Sequence, residues 1–322
     1  MQTIGKENRN VEADIMKGIA ILCVMIGHAK WLPMWLLVFI YSFHIPLFFI
    51  IAGCFAKTYE EDKGSRGGYV RRSVRQLVIP YAVVSIVCLA YTLLQSIYYG
   101  DYALLVHDAA RYVLALDAMW PDTIFDRWVN PIWFLLALFW ARLFFYYLSS
   151  LGKWFIPLCV VLSVTMVLIH PYIVTPFCIG RGVEALVFMV IGWAYRRYSF
   201  PVWSKVLAIG CWLASMYLGK LDLCAFEFNC LPIDIIGVCG GTLVIYYISM
   251  GIAKTFMKPF FSWCGRNSLI LLCAHTIEYS TTIIHVLCKL LPFKVPMIPY
   301  FGVKHGVTVF GSWVYTKMRR RS

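Results

Sequence analysis

Lys17 and His28 stand eleven residues apart in an apolar stretch near the start of the chain. On a helix turning ~100° per residue, that spacing brings them within ~20° of one face. At a rise of about 1.5 Å per residue, ~16 Å of axis separates them, so they cannot form a catalytic dyad. They suit one extended ligand instead, with the ammonium at its entry and the imidazole further along. A histidine held inside a bilayer span points to a functional site. Asp14 falls near the same face. The plain structural alternative is that Lys17 snorkels to the interface while His28 satisfies a neighbouring helix.

Further along, His44 lies about as far past the next turn as His28 lies before it. Pro46 follows it and frees a carbonyl one turn back, so His44 either repairs an irregular helix entry or shares in the chemistry. Arg72 and Arg75 are spaced i, i+3, which puts two guanidiniums on one side of a helix. Arginine matches phosphate with paired donors, but a plain cytoplasmic flank would look the same. His275 and Glu278 repeat the i, i+3 spacing inside an apolar run, where titratable groups are costly and seldom idle. Arg181 and Glu184 share that spacing and read as a local ion pair; Asp234 reads as a snorkelling carboxylate.

The elements that must carry these residues are membrane spans. The chain has 322 residues, of which 61% are hydrophobic and only 14% charged, with a mean hydropathy of +0.73. Apolar runs long enough to cross ~30 Å of hydrocarbon recur throughout. They predict an all-α polytopic bundle of about ten spans, near 15–32, 39–56, 78–99, 131–148, 154–170, 181–196, 204–219, 231–250, 267–287 and 297–316. No repeat or linker divides them, so residues 1–322 read as a single membrane domain. Most of the 29 lysines and arginines fall in alternate connections, which places those connections and both termini in the cytoplasm.

That distribution also disposes of nucleic acid as the partner of a +13 chain, since no basic stripe interleaved with aromatics tracks a phosphate backbone. The twelve cysteines sit mostly in apolar runs and contain no CxxC, so neither a disulfide scaffold nor a metal site is expected; a Cys224–Cys230 pair in an outer connection is left open. The outer segment 100–130 carries Asp101, Asp108, Asp117, Asp122 and Asp126. Trp120, Trp128 and Trp133, in and just beyond it, read either as interfacial anchors or as faces on which a sugar stacks.

Five segments then carry a family resemblance. The run from Asp14 to His28, DIMKGIAILCVMIGH, resembles the first helix of the acyltransferase-3 family of membrane O-acyltransferases. FHIPLFFIIAGCF resembles its second-helix signature, RRSVRQLVIPY its RxxR element, PIWFLLALF a further helix, and WCGRNSLILLCAH its late segment ending on a histidine. They occur in order over residues 14–275. The subgroup most similar is that of sugar O-acetylases of the fucose 4-O-acetylase type. One departure stands out: where the family carries an arginine eleven residues before the histidine, this chain has Lys17, which keeps the charge and loses the planar fork.

The resemblance implies a catalytic His28, with Lys17, Arg72 and Arg75 binding the phosphates of acetyl-coenzyme A as a cytoplasmic co-substrate. Asp14, His44, His275 and Glu278 would support them. No permanently bound cofactor is implied. The acceptor would be a sugar of a surface polysaccharide or of a lipid-linked glycan, and the location a bacterial inner membrane. A glycan or lipid transporter is the rival from another class. It would favour repeated halves with broken helices, and the sequence shows no such repeat.

Overall fold

The structure, a computed structural model, describes residues 10–29, 32–62, 66–117, 123–124, 126, 129–281 and 297–319. Helices stand at each of the ten places expected for spans. Among the described residues, four stretches, Met34–Cys54, Arg66–Tyr99, Trp133–Tyr172 and Leu231–Ile252, are long and apolar enough to cross a membrane, and the bent pair Pro176–Glu184 and Leu186–Arg197 makes a fifth if counted as one. The stretch Trp133–Tyr172 is itself two helices, because the chain breaks at Gly152 (φ 55°, ψ −121°). The helices gather into two compact units, each built from discontinuous parts of the sequence.

The first unit comprises residues 1–51, 199–221 and 228–268. It contains α1 (Val11–Gly27), α2 (Met34–Tyr41), the first part of α3 (His44–Cys54), α11 (Val202–Leu218), α12 (Leu231–Ile252) and α13 (Lys258–Arg266). Asn10 starts α1 by accepting the Ala13 N–H at 2.8 Å, and Glu12 and Asp14 add negative charge where the helix N-terminus favours it. Met16 and Ala20 of α1 pack with Phe43, Leu47, Ile51, Trp212 and Ile245 as the core of this unit.

Two crossings in it are made at backbone distance. A Cβ on Gly18 would stand 2.1 Å from the Phe261 carbonyl oxygen, and one on Gly265 only 1.7 Å from that of Asp14. Helices α1 and α13 therefore touch main chain to main chain, the small-residue packing that membrane helices favour. Gly240 of α12 does the same against Ala208 of α11, at 2.2 Å.

The second unit comprises residues 52–198, 222–227 and 269–322. Helix α4 (Arg66–Ser73) runs through a π-helical turn at Val74–Val78 into α5 (Ile79–Tyr99). Pro80 lies in the first turn of α5 and lacks the N–H that a regular helix would need there. Next come α6 (Ala103–Leu114), α7 (Trp133–Leu148), α8 (Phe155–Ile169), α9 (Ile179–Glu184) and α10 (Leu186–Arg197). Helices α14 (Ser268–Ser280) and α15 (Met297–Arg319) complete the unit.

Several expectations change here. Asp234 does not snorkel: it is fully buried and accepts the N–H groups of Asn229 (2.7 Å) and Cys230 (3.0 Å), with Ser215 on its other oxygen, which caps the start of α12. Arg181 donates to the Asp117 carbonyl (3.0 Å) and lies 4.9 Å over the Trp133 ring, while the Glu184 carboxylate accepts no hydrogen bond among the described residues. The local pair is thus replaced by longer-range contacts. Trp133 is buried beneath that guanidinium, so it offers its face neither to the interface nor to a sugar. Trp120, Trp128 and Asp122 lie outside the described residues. Cys224 and Cys230 are not joined in a disulfide.

Substituting Gly265 by Ala should force α1 from α13 and cost about 1–3 kcal/mol as overpacking. Gly251→Ala, where an added Cβ meets nothing within 4 Å, should cost nothing. Thermal unfolding of the detergent-solubilised protein compares the two; equal midpoints would contradict the contact.

Candidate functional site

In the first unit the site is built on α1. Lys17 reaches back one turn to Asp14, Nζ to Oδ1 at 3.0 Å, with the carboxylate buried and the ammonium about a quarter exposed. The i, i+3 spacing is thereby used within the helix. An anion arriving at Lys17 must share it with Asp14. The close approach of Gly265 to the Asp14 carbonyl fixes the backbone that carries this pair.

His28 is the C-cap of α1 (φ −86°, ψ 3°), its N–H directed to the Ile26 carbonyl and its side chain half-buried. It stands at the end of the helix rather than part-way along it. Position Gly27 packs on the end of α2: a Cβ there would lie 3.4 Å from Ile40 and from Tyr41. Tyr41 in turn meets the His44 ring edge-on at 4.9 Å and carries Lys220 over its face at 4.4 Å. The end of α1, Tyr41, His44 and Lys220 thus form one neighbourhood. Tyr41 and Lys220 were missed in sequence because an aromatic in an apolar run and a lone loop lysine carry no spacing signal.

His44 is buried, and its Nδ1 lies 2.7 Å from the Ile40 carbonyl. A carbonyl only accepts, so Nδ1 carries the proton. The break between α2 and α3 that makes this possible is held by Ser42, which donates to Phe39 (2.7 Å) and accepts from the Trp212 indole (2.8 Å). The partner of His44 is thus the Ile40 carbonyl at the end of α2, not the Ser42 carbonyl that Pro46 leaves without an N–H.

The same unit holds a cavity of about 480 Å³ at the start of α1, lined by Asn10, Val11, Glu12, Met250, Ala253, Lys254 and Lys258. Both lysines are exposed.

In the second unit, Arg72 meets Asp62 at 3.2 Å and stays 58% exposed. Arg75 is exposed on the π turn. Asp62 is set by the turn before it, in which Thr58 N–H donates to Glu61 (2.9 Å) and Glu61 pairs with Arg197. The backbone hydrogen bond from Thr58, followed by the Arg197 contact, holds the Glu61 carboxyl below the ordinary glutamate range.

His275 and Glu278 do share a face, Nδ1 to Oε2 at 3.0 Å, and both are buried. Two residues of α15 join them: Lys304 pairs with Oε1, and His305 Nδ1 stands 3.6 Å from Oε2. That long-range addition has no signature in local spacing.

A bundle of apolar helices with charged groups paired inside it defines a polytopic helical membrane protein. The chain belongs to the acyltransferase-3 family: residues 10–317 match that family's acyltransferase domain, a span that contains every candidate site residue. It is a membrane acyltransferase. No curated protein and no solved structure matches it.

The Glu61 turn gives a pH prediction. A carboxylate whose pKa is lowered by folding contributes stability above its unfolded value, about 4.3, and loses it as the pH falls through the folded value. Glu61→Gln should therefore lower the thermal midpoint at neutral pH, and the difference should vanish at acidic pH below the wild-type carboxyl's titration. A difference constant across the series would mean the carboxylate charge does not hold this turn.

Proposed function

We propose that this acyltransferase moves an acetyl group from cytoplasmic acetyl-coenzyme A to a hydroxyl of a surface-glycan sugar or its lipid-linked precursor, in a bacterial inner membrane. His28 is the catalytic base. Lys17, Arg72 and Arg75 take the phosphates of the donor, and Asp14 holds Lys17 in place. The observation that carries this reading is the position of His28, half-buried at the C-terminal end of α1. An imidazole that accepts a proton becomes a cation, and the C-terminal end of a helix stabilises positive charge.

In the transfer, the sugar oxygen attacks the thioester carbonyl as His28 takes its proton. The thiolate of coenzyme A then leaves and recovers that proton. Lys220, over Tyr41 at the same end of the first unit, supplies positive charge for the oxyanion formed between those steps. His44, committed to Ile40, orients Tyr41 without handling the proton.

His28→Ala should abolish acetyl transfer, by a factor of about 10²–10⁴ or more, in protein that still inserts and unfolds at the wild-type midpoint. Incorporation of radiolabelled acetyl into membrane glycans measures it; activity within tenfold of wild type would remove His28 from the mechanism. Arg72→Ala and Arg75→Ala should each raise the KM for acetyl-coenzyme A with little change in kcat. An unaltered donor KM in both would place the phosphates elsewhere.

A further inference from the structure

The buried cluster on α14 and α15 lies outside the chemistry assigned to His28 and converges on one carboxylate oxygen. Glu278 Oε2 has His275 Nδ1 at 3.0 Å and His305 Nδ1 at 3.6 Å, and the two rings are 5.4 Å apart. One ligand atom from each of these three residues lies within 4.8 Å of the others. Ligand atoms of a four-coordinate zinc, bonded at roughly 2.0–2.2 Å, stand about 3.4 Å from one another. The observed separations bracket that value.

Lys304 strengthens the case. It pairs with the other oxygen, Oε1, leaving Oε2 towards the imidazoles. Metal-binding carboxylates are commonly held in this way by a second group on their free oxygen. Side chains from two helices thus present two imidazoles and one anchored carboxylate, a borderline-soft set that suits zinc over magnesium or calcium.

The geometry points to a zinc site formed by His275, Glu278 and His305, with Lys304 as the positioning residue and a fourth position open to water. The three ligands sit in the second unit, on α14 and α15, and the ion joins the two helices. This departs from the sequence expectation of no metal, which rested on the missing CxxC and could not register ligands brought from separate helices.

The full-length protein in detergent, stripped with a chelator, is titrated with Zn²⁺ by calorimetry and with Co²⁺ by visible absorption. Stoichiometric Zn²⁺ binding, a raised thermal midpoint with Zn²⁺, and intensified Co²⁺ d–d bands without a thiolate charge-transfer band are expected. His305→Ala should weaken Zn²⁺ by roughly tenfold or more, and Lys304→Met by about 10–100-fold. Absence of stoichiometric binding, or a thiolate-to-cobalt band marking the cysteines as ligands, would overturn the site. So would wild-type affinity in His305→Ala. If the variants fail to insert, the wild-type cobalt spectrum decides alone, since its presence or absence in this form answers the question.

Discussion

Helices α1 and α13 meet because two residues have no side chain. Gly18 and Gly265 let the main chains touch at distances that any Cβ would forbid, and the Asp14 carbonyl sits directly in that contact. The consequences run along α1. Its N-terminal half is fixed by backbone rather than by adaptable side chains, so the Asp14–Lys17 pair has a defined place. Its C-terminal end, eleven residues on from Lys17, delivers His28 against the end of α2. A helix held by interdigitated large side chains could shift by rotamer changes; one seated on backbone cannot.

Several charged groups among the described residues are tied to a group that serves the same helix end or the same crossing. Asp234 caps α12, Asp108 takes Thr92 at 2.7 Å and Arg111 at 3.0 Å, and Lys304 is matched to Glu278. Such pairing is demanded because an isolated charge in hydrocarbon is expensive. It also means that most intramembrane charges here are structural. Glu184 is a departure, buried with no hydrogen bond to its carboxylate among the described residues.

The helices were legible in sequence because apolar length is a robust signal, and the i, i+3 pairs Asp14–Lys17 and His275–Glu278 were legible because helical geometry alone brings them together. What failed to show were partners distant in the chain. Lys304 and His305 reach Glu278 from another helix, Arg181 turns from Glu184 to Asp117 and Trp133, and Lys220 finds Tyr41. Local spacing predicts which face a residue occupies, but not what another helix presents to that face. The π turn was hidden for a related reason: Pro80 announces that one N–H is missing, without saying how the backbone absorbs the loss.

The two early histidines show how helix ends, more than residue type, assign chemical capacity. His44 sits at the start of α3, and its Nδ1 proton is committed to the Ile40 carbonyl that the break between α2 and α3 leaves in reach. That bond fixes its tautomer and its ring plane. His28 sits at the opposite kind of end, where the last carbonyls of α1 concentrate partial negative charge. A catalytic triad provides that charge with an aspartate, which steadies the imidazolium while the proton is held. In the mechanism proposed for His28, the backbone at the end of α1 contributes part of the same stabilisation without burying another carboxylate in the membrane. An enzyme working in hydrocarbon gains from that substitution, because peptide dipoles are already paired along the helix and carry no net charge to desolvate.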